Sequence, residues 1–117
     1  MDKLHIVKAG GNLLEDPSIR KEFLQHFAQL EGSKILVHGG GKSATALAEK
    51  LGLSVQMVEG RRITDAAMLE VAVMTYAGAL NKNLVAELQA LGCNALGLSG
   101  ADGNAVQAVK RPVKNID

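Results

Sequence analysis

Ile35-Leu36-Val37-His38-Gly39-Gly40-Gly41-Lys42-Ser43 sets a short apolar run directly against three glycines and a helix-forming stretch. A run this compact, with no polar alternation, reads as a strand buried on both faces. The glycines end it, and a helix starting near Ser43 follows, with Ala44, Leu47, Ala48 and Leu51 on one face and a stop at Gly52. The same design stands upstream: Leu4 to Lys8 is a β-type run, broken by Ala9-Gly10-Gly11-Asn12. Asp16-Pro17 then opens a helix, Asp as the N-cap and Pro at the first helical position, with Ile19, Phe23, Phe27 and Leu30 at helical spacing and Gly32 at the end.

Downstream, Ser54 to Val58 reads as a third strand and Gly60-Arg61-Arg62 as a loop. Thr64 suits the N-cap of a long apolar stretch from Asp65 to Leu91, which Gly78 divides or kinks and Gly92 closes. Asn94 to Ser99 and Ala105 to Arg111 read as two more strands around the turn Ala101-Asp102-Gly103-Asn104, as in a hairpin. Strands alternating with helices predict an α/β fold, a three-layer αβα arrangement with a mostly parallel sheet and helices on both faces. The end at Asn115-Ile116-Asp117 has no feature of a finished C-terminus and predicts a truncated chain.

The 117 residues fit one domain, and 47% hydrophobic residues supply a core. With 3% aromatics, that core rests on aliphatic side chains and Met. The balance of 13 basic and 12 acidic residues gives no bulk signal for nucleic acid or a membrane surface. The lone Cys93 excludes an internal disulfide and a cysteine-rich metal site, and a reducing cytoplasm is the expected setting. No signal peptide and no apolar run of about 20 residues is present.

Two glycine loops after two strands mark one edge of the sheet, where ligands of parallel sheets bind. Glycine lets backbone N–H groups approach an anion closely, and a helix N-terminus adds favourable dipole. With Lys8 beside them, Gly10-Gly11 and Gly39-Gly40-Gly41 suggest a phosphate or carboxylate site; tight strand-to-helix turns would use glycine as well. Gly41-Lys42-Ser43 has the tail of a P-loop, but Leu36 stands where the first glycine belongs. Gly39, Gly41 and Ala44 match a dinucleotide fingerprint, with Glu59 near the end of the next strand as a ribose-binding acid. That reading leaves Lys8 and Gly10-Gly11 without a role. Arg62, just after a strand and just before a helix, can pair a carboxylate with its planar fork, whereas Arg61 reads as solvated. His5, His26 and His38 share no metal-ligand spacing; His38 reads as structural, at a place where it could order the glycine loop. Cys93, Met57, Met68 and Met74 read as core, Asn81-Lys82-Asn83 as a polar helix face, and Asp102 as turn chemistry.

Ile6-Val7-Lys8-Ala9-Gly10-Gly11, Val37-His38-Gly39-Gly40-Gly41, Gly60-Arg61-Arg62-Ile63-Thr64 and the segment Asn94 to Gly103 together resemble the amino-acid kinase family. Within it the Arg62 segment is most similar to the acetylglutamate kinases of arginine biosynthesis. The resemblance covers essentially the whole chain and implies the N-terminal, acylglutamate-binding half, residues 1–117, of an ATP- and magnesium-dependent enzyme that phosphorylates the side-chain carboxylate of N-acetyl-L-glutamate or another N-acylglutamate. It implies Lys8 as stabiliser of the transferring phosphoryl group, Gly10 and Gly11 as backbone donors beside it, Gly40 and Gly41 as acylglutamate binders and Arg62 as partner of a substrate carboxylate. It assigns no metal ligand here. It further implies a homodimer, with the long helix after Thr64 as a contact, and no nucleic-acid or membrane partner.

Two positions depart from the family pattern: Ala9, where a larger aliphatic residue is usual, and Lys42 after the glycines. The nucleotide-binding half, with the family's second lysine, its aspartate and an asparagine-containing substrate segment, is absent from these residues, so the chain alone is expected to be inactive. Three other readings stay open: a sibling kinase acting on carbamate, aspartate or glutamate; a Rossmann-type dinucleotide-binding domain; and a non-catalytic remnant.

Overall fold

The computed structural model describes residues 3–112. The chain end at Asn115-Ile116-Asp117 lies outside the described residues. Strands β1 (Leu4–Ala9) and β2 (Ser33–His38) run parallel, in register from Leu4 opposite Ser33 to Ala9 opposite His38. Helices α1 (Gly11–Glu15) and α2 (Pro17–Gln29) lie between them in sequence, and α3 (Gly41–Lys50) follows β2. The α/β class is therefore that of the chain, with the two glycine loops leaving neighbouring strands at the same end.

The helix start at Asp16-Pro17 forms as the local chemistry dictates: the Asp16 carboxylate accepts from Ser18 N at 2.9 Å and Ile19 N at 3.3 Å. The Ser18 hydroxyl and these backbone N–H groups hold the Asp16 carboxyl below its usual range. At the other end Lys34 of β2 donates to the Phe27, Ala28 and Leu30 carbonyls at 2.9, 2.9 and 2.6 Å, placing a cation on the negative end of α2.

One face of the β1–β2 pair turns Val7, Ala9 and Leu36 towards α2 and α5 (Asn81–Ala90), where Leu24, Phe27, Leu84 and Leu88 are buried. The Arg20–Glu87 ion pair at 2.9 Å ties these two helices together. The opposite face carries Leu4, Ile6, Ile35 and Val37, and all four are exposed, Ile6 at 67%. A second core joins Ala44 and Ala48 of α3 to Met68 and Val71 of α4 (Ala66–Ala72), flanked by Leu47, Leu53, Val55 and Tyr76. Fully buried alanines let the two helix backbones approach closely, so that dispersion contacts form without a void between them.

Several expected elements differ. The third strand, β3 (Gln56–Val58), does not join the parallel sheet but pairs antiparallel with β4 (Arg61–Ile63), where a loop was expected. Glu59 at φ 50° and Gly60 at φ 75° form the two-residue connection, and positive φ at both positions gives the turn a twist that matches the strands of a hairpin. Asp65, not Thr64, caps α4, accepting from Met68 N at 2.8 Å. Gly78 does not split the long helix: α4 runs through a π-helical segment, Val73–Leu80, which contains Gly78, into α5 with helical dihedrals at both junctions. Inside it the Thr75 hydroxyl donates to the Val71 carbonyl at 2.9 Å and the Ala72 carbonyl at 3.3 Å, competing with the backbone for those acceptors. Asn94 to Ser99 and Ala105 to Arg111 form no strands. No ladder pairs either segment among the described residues. Cys93 and Ala95 still pack on the first core while Leu96 and Leu98 are exposed, so the alternation is kept without the pairing. The turn between them is a short 3-10 helix, Asp102–Asn104. No helix of the described residues is long and apolar enough to cross a membrane.

Candidate functional site

Lys8 and Ala9 are the last residues of β1, with Lys8 opposite Val37 and Ala9 opposite His38. Lys8 is exposed while Ala9 is buried, so the alternation of the strand aims the cation away from the first core. Gly10 precedes α1 as its N-cap without any side-chain cap. A Cβ built on Gly10 or Gly11 would meet nothing within 4 Å, so the space over both backbones is open.

The second loop is constrained differently. Gly40 is buried, and a Cβ there would come within 2.9 Å of Tyr76 Cδ1 and 3.2 Å of Leu80 Cδ2. Its carbonyl accepts from Ala44 N at 2.9 Å, which starts α3. Gly40 is therefore glycine because the loop lies flat on the π-helical segment. Helix α3 begins at Gly41, two residues earlier than the sequence predicts.

Arg62 comes to this loop from β4. Its Nη2 donates to the Gly41 carbonyl at 2.8 Å and to Thr45 Oγ1 at 2.6 Å. Both partners are neutral, and Arg62 Nε is buried without a partner. The guanidinium thus holds the start of α3 and keeps a donor unspent. Of the residues singled out from sequence, Arg62, Gly40 and Gly41 meet in one place. Lys8, Gly10 and Gly11 stand on the adjoining strand end, with α1 against α3.

His38 lies at the root of the same loop. Its Nδ1 is 2.8 Å from the Gly39 carbonyl and its Nε2 is 3.1 Å from Asn81 Nδ2. Lys82 Nζ donates to Asn81 Oδ1 at 3.0 Å and to the Gly97 carbonyl at 2.9 Å. Three residues that the sequence reading gave no role, Thr45, Tyr76 and Asn81, therefore shape the loop. Thr45 lies one helical turn from Gly41, a spacing that could have been noticed. Asn81 is buried at the start of α5, and its partner is 43 residues away.

Glu59, the acid of the dinucleotide reading, sits in the tip of the separate β3–β4 hairpin. It is not at the carboxyl end of a strand beside β1, so the fingerprint lacks its ribose partner. Asp102 accepts from Ser99 N at 2.7 Å and Ser99 Oγ at 2.9 Å, and these bonds, the backbone one first, hold its carboxyl below the usual range.

The family model described as "Amino acid kinase family" matches residues 3–117. The chain belongs to the amino acid kinase family. Acetylglutamate kinase of Cytophaga hutchinsonii is 54% identical over 98% of this chain and 44% of its own length. Its counterpart from Parabacteroides distasonis is 55% identical over 100% of this chain and 46% of its own. The Myxococcus xanthus one is 43% identical over 94% and 37%. This amino acid kinase chain thus spans under half the length of the curated relatives it matches. Among solved structures, smu.665 from Streptococcus mutans superposes with a TM-score of 0.58 at 23% identity, over 76% of this chain and 37% of that one. N-acetylglutamate synthase from Neisseria gonorrhoeae does so with 0.51 at 22%, over 95% and 24%. At these identities the two structures speak for the family fold alone.

Proposed function

We propose that this chain is the N-terminal, acylglutamate-binding half of an acetylglutamate kinase, residues 1–117 forming that domain. The reaction is transfer of the γ-phosphoryl group of ATP to the side-chain carboxylate of N-acetyl-L-glutamate, a step of arginine biosynthesis, and a biosynthetic enzyme of this kind works in the cytoplasm. The observation that carries the reading is Arg62 reaching the Gly41 carbonyl at 2.8 Å with Nε still unpartnered. An arginine placed against a glycine loop at a helix start is suited to a carboxylate ligand. The high identity to acetylglutamate kinases supports the same substrate.

In this reading Gly40 and Gly41 present backbone to the acylglutamate while Arg62 pairs one of its carboxylates. Lys8 stabilises the charge on the transferring phosphoryl group, and Gly10 and Gly11 donate N–H beside it. Phosphoryl transfer asks little else of the protein than positioning and charge stabilisation. ATP and magnesium are implied by the family. Among the described residues there is no group of three or more His, Cys, Asp or Glu side chains that could hold a metal ion. The nucleotide is assigned to polypeptide other than these residues, and the chain alone is inactive. Self-association through the exposed Leu69, Val73 and Met74 of the long helix gives a homodimer.

The test is ATP-dependent phosphorylation of N-acetyl-L-glutamate by the polypeptide at its natural length, read as acyl phosphate trapped by hydroxylamine. Lys8→Ala lowers turnover about 10²–10³-fold with little change in affinity, and Arg62→Ala chiefly weakens acylglutamate binding. Phosphorylation of aspartate, glutamate or carbamate in preference to N-acetyl-L-glutamate would replace the substrate; absence of any transfer would leave a binding remnant.

A further inference from the structure

Lys82, Asn81 and His38 form a chain of hydrogen bonds whose direction is fixed at one end. An ammonium group can only donate, so the Asn81 atom 3.0 Å from Lys82 Nζ must be the carbonyl oxygen. The Asn81 amide nitrogen then faces His38 Nε2 at 3.1 Å and donates to it. Nε2 must be the bare nitrogen, and the ring proton sits on Nδ1, which donates to the Gly39 carbonyl at 2.8 Å. The far end is anchored as well, because Lys82 also donates to the Gly97 carbonyl at 2.9 Å. Asn81 is buried, so its amide has no solvent to turn towards. A Cβ on Gly97 would collide with Asn81 Oδ1 and crowd Val85 and Lys82, so the approach of the 94–99 segment depends on that glycine.

We infer that Asn81 and Lys82 are positioning residues: they set the tautomer of His38 and thereby hold the Gly39 carbonyl, fixing the orientation of the Gly39-Gly40-Gly41 loop towards its ligand. The role in ligand binding rests on the reading of that loop as the acylglutamate site; the tautomer does not.

The test uses the natural-length polypeptide labelled with ¹⁵N at histidine, the His38 signals being those lost in His38→Gln. Long-range proton–nitrogen spectra show Nδ1 protonated and Nε2 bare in the wild type. Asn81→Asp keeps the volume but presents only acceptors, so it moves a proton onto Nε2; Lys82→Met, a surface change that leaves the fold intact, gives a mixture of tautomers. A wild-type ring protonated at Nε2, or a tautomer unmoved in Asn81→Asp and Lys82→Met, overturns the relay. Titration with N-acetyl-L-glutamate provides the second arm. Asn81→Asp and Lys82→Met each weaken binding by up to about tenfold, the worth of one neutral hydrogen bond. A switched tautomer with unchanged affinity overturns the positioning role. Failure of the wild type to bind N-acetyl-L-glutamate removes the functional reading, while the spectra still decide the relay.

Discussion

Arg62 Nη2 and Thr45 Oγ1 are 2.6 Å apart, joining the β3–β4 hairpin to the first turns of α3. This bond, with the one to the Gly41 carbonyl, is how a hairpin outside the parallel sheet becomes part of the glycine-loop site. A hydrogen bond to a charged group contributes about 1.5–3 kcal/mol. Thr45→Val keeps the shape of the side chain and removes the acceptor. The expected outcome is a loss of about 1–3 kcal/mol in urea-induced unfolding, together with weaker binding of N-acetyl-L-glutamate. Thr45→Ser restores both, because it returns the hydroxyl. Unchanged stability in Thr45→Val would mean that Arg62 is held by the Gly41 carbonyl alone.

The two glycine loops should respond differently to the same substitution. At Gly40 a methyl group would press on Tyr76 and Leu80 at 2.9 and 3.2 Å. Gly40→Ala is therefore expected to cost about 1–3 kcal/mol of stability from overpacking, with or without ligand. At Gly11 the space is open and the residue opens α1, so Gly11→Ala should change stability by less than about 1 kcal/mol. If the Gly11 N–H lies beside a phosphoryl group, the same methyl blocks the approach and turnover falls. Thermal unfolding and steady-state kinetics on the pair separate the two causes; a Gly11→Ala protein with normal turnover would take that loop out of the phosphate site.

What was legible in the sequence was local. The Asp16-Pro17 start, the glycine ends at positions 32, 52 and 92, and the two strands before the glycine loops each follow from a few adjacent residues. Arg62 and the glycines of both loops were also singled out from sequence, because glycine and arginine each have a narrow set of uses. What failed depended on distant partners. The β3–β4 pairing was missed because Glu59-Gly60 is an unusual two-residue turn, requiring φ 50° at a glutamate. The segments 94–99 and 105–111 have strand composition, but composition supplies no neighbouring edge. The Asn81–His38 contact spans 43 residues, and nothing near either residue announces it.

The pH response of α2 follows from Asp16. Its folded carboxyl lies below the usual value, through the Ser18 hydroxyl first and the Ile19 and Ser18 N–H groups next. A depressed carboxyl contributes stability that is fully present above its unfolded value and is lost as pH falls through the folded one. Asp102, held down by the Ser99 N–H and hydroxyl, acts in the same direction on the 99–104 turn. Stability should therefore fall on acidification through and below the ordinary aspartate range. Asp16→Ala should lower the unfolding midpoint at neutral pH and flatten that acid slope, while leaving amide exchange at the 99–104 turn unaltered. An equally steep slope in Asp16→Ala would place the acid sensitivity elsewhere.

The bare side of the parallel pair gives the last expectation. Leu4, Ile6, Ile35 and Val37 are all exposed on one face of β1 and β2, while the other face packs on α2 and α5. In adjacent in-register strands, Ile6 stands directly opposite Ile35, so these side chains form one contiguous apolar surface. Contiguous exposed patches of this kind draw proteins into association. The 117-residue chain should therefore bind an environment-sensitive hydrophobic dye and shift to larger species as concentration rises. Leu4→Lys and Ile6→Lys should each lower dye binding and association. They should not reduce stability by more than about 0.5 kcal/mol, because the replaced side chains are largely in water already. A large loss of stability in either variant would mean that this face is packed in the molecule in solution. Dye binding unaffected by both would assign it to another surface, for which Leu96 and Leu98 are the next substitutions to make.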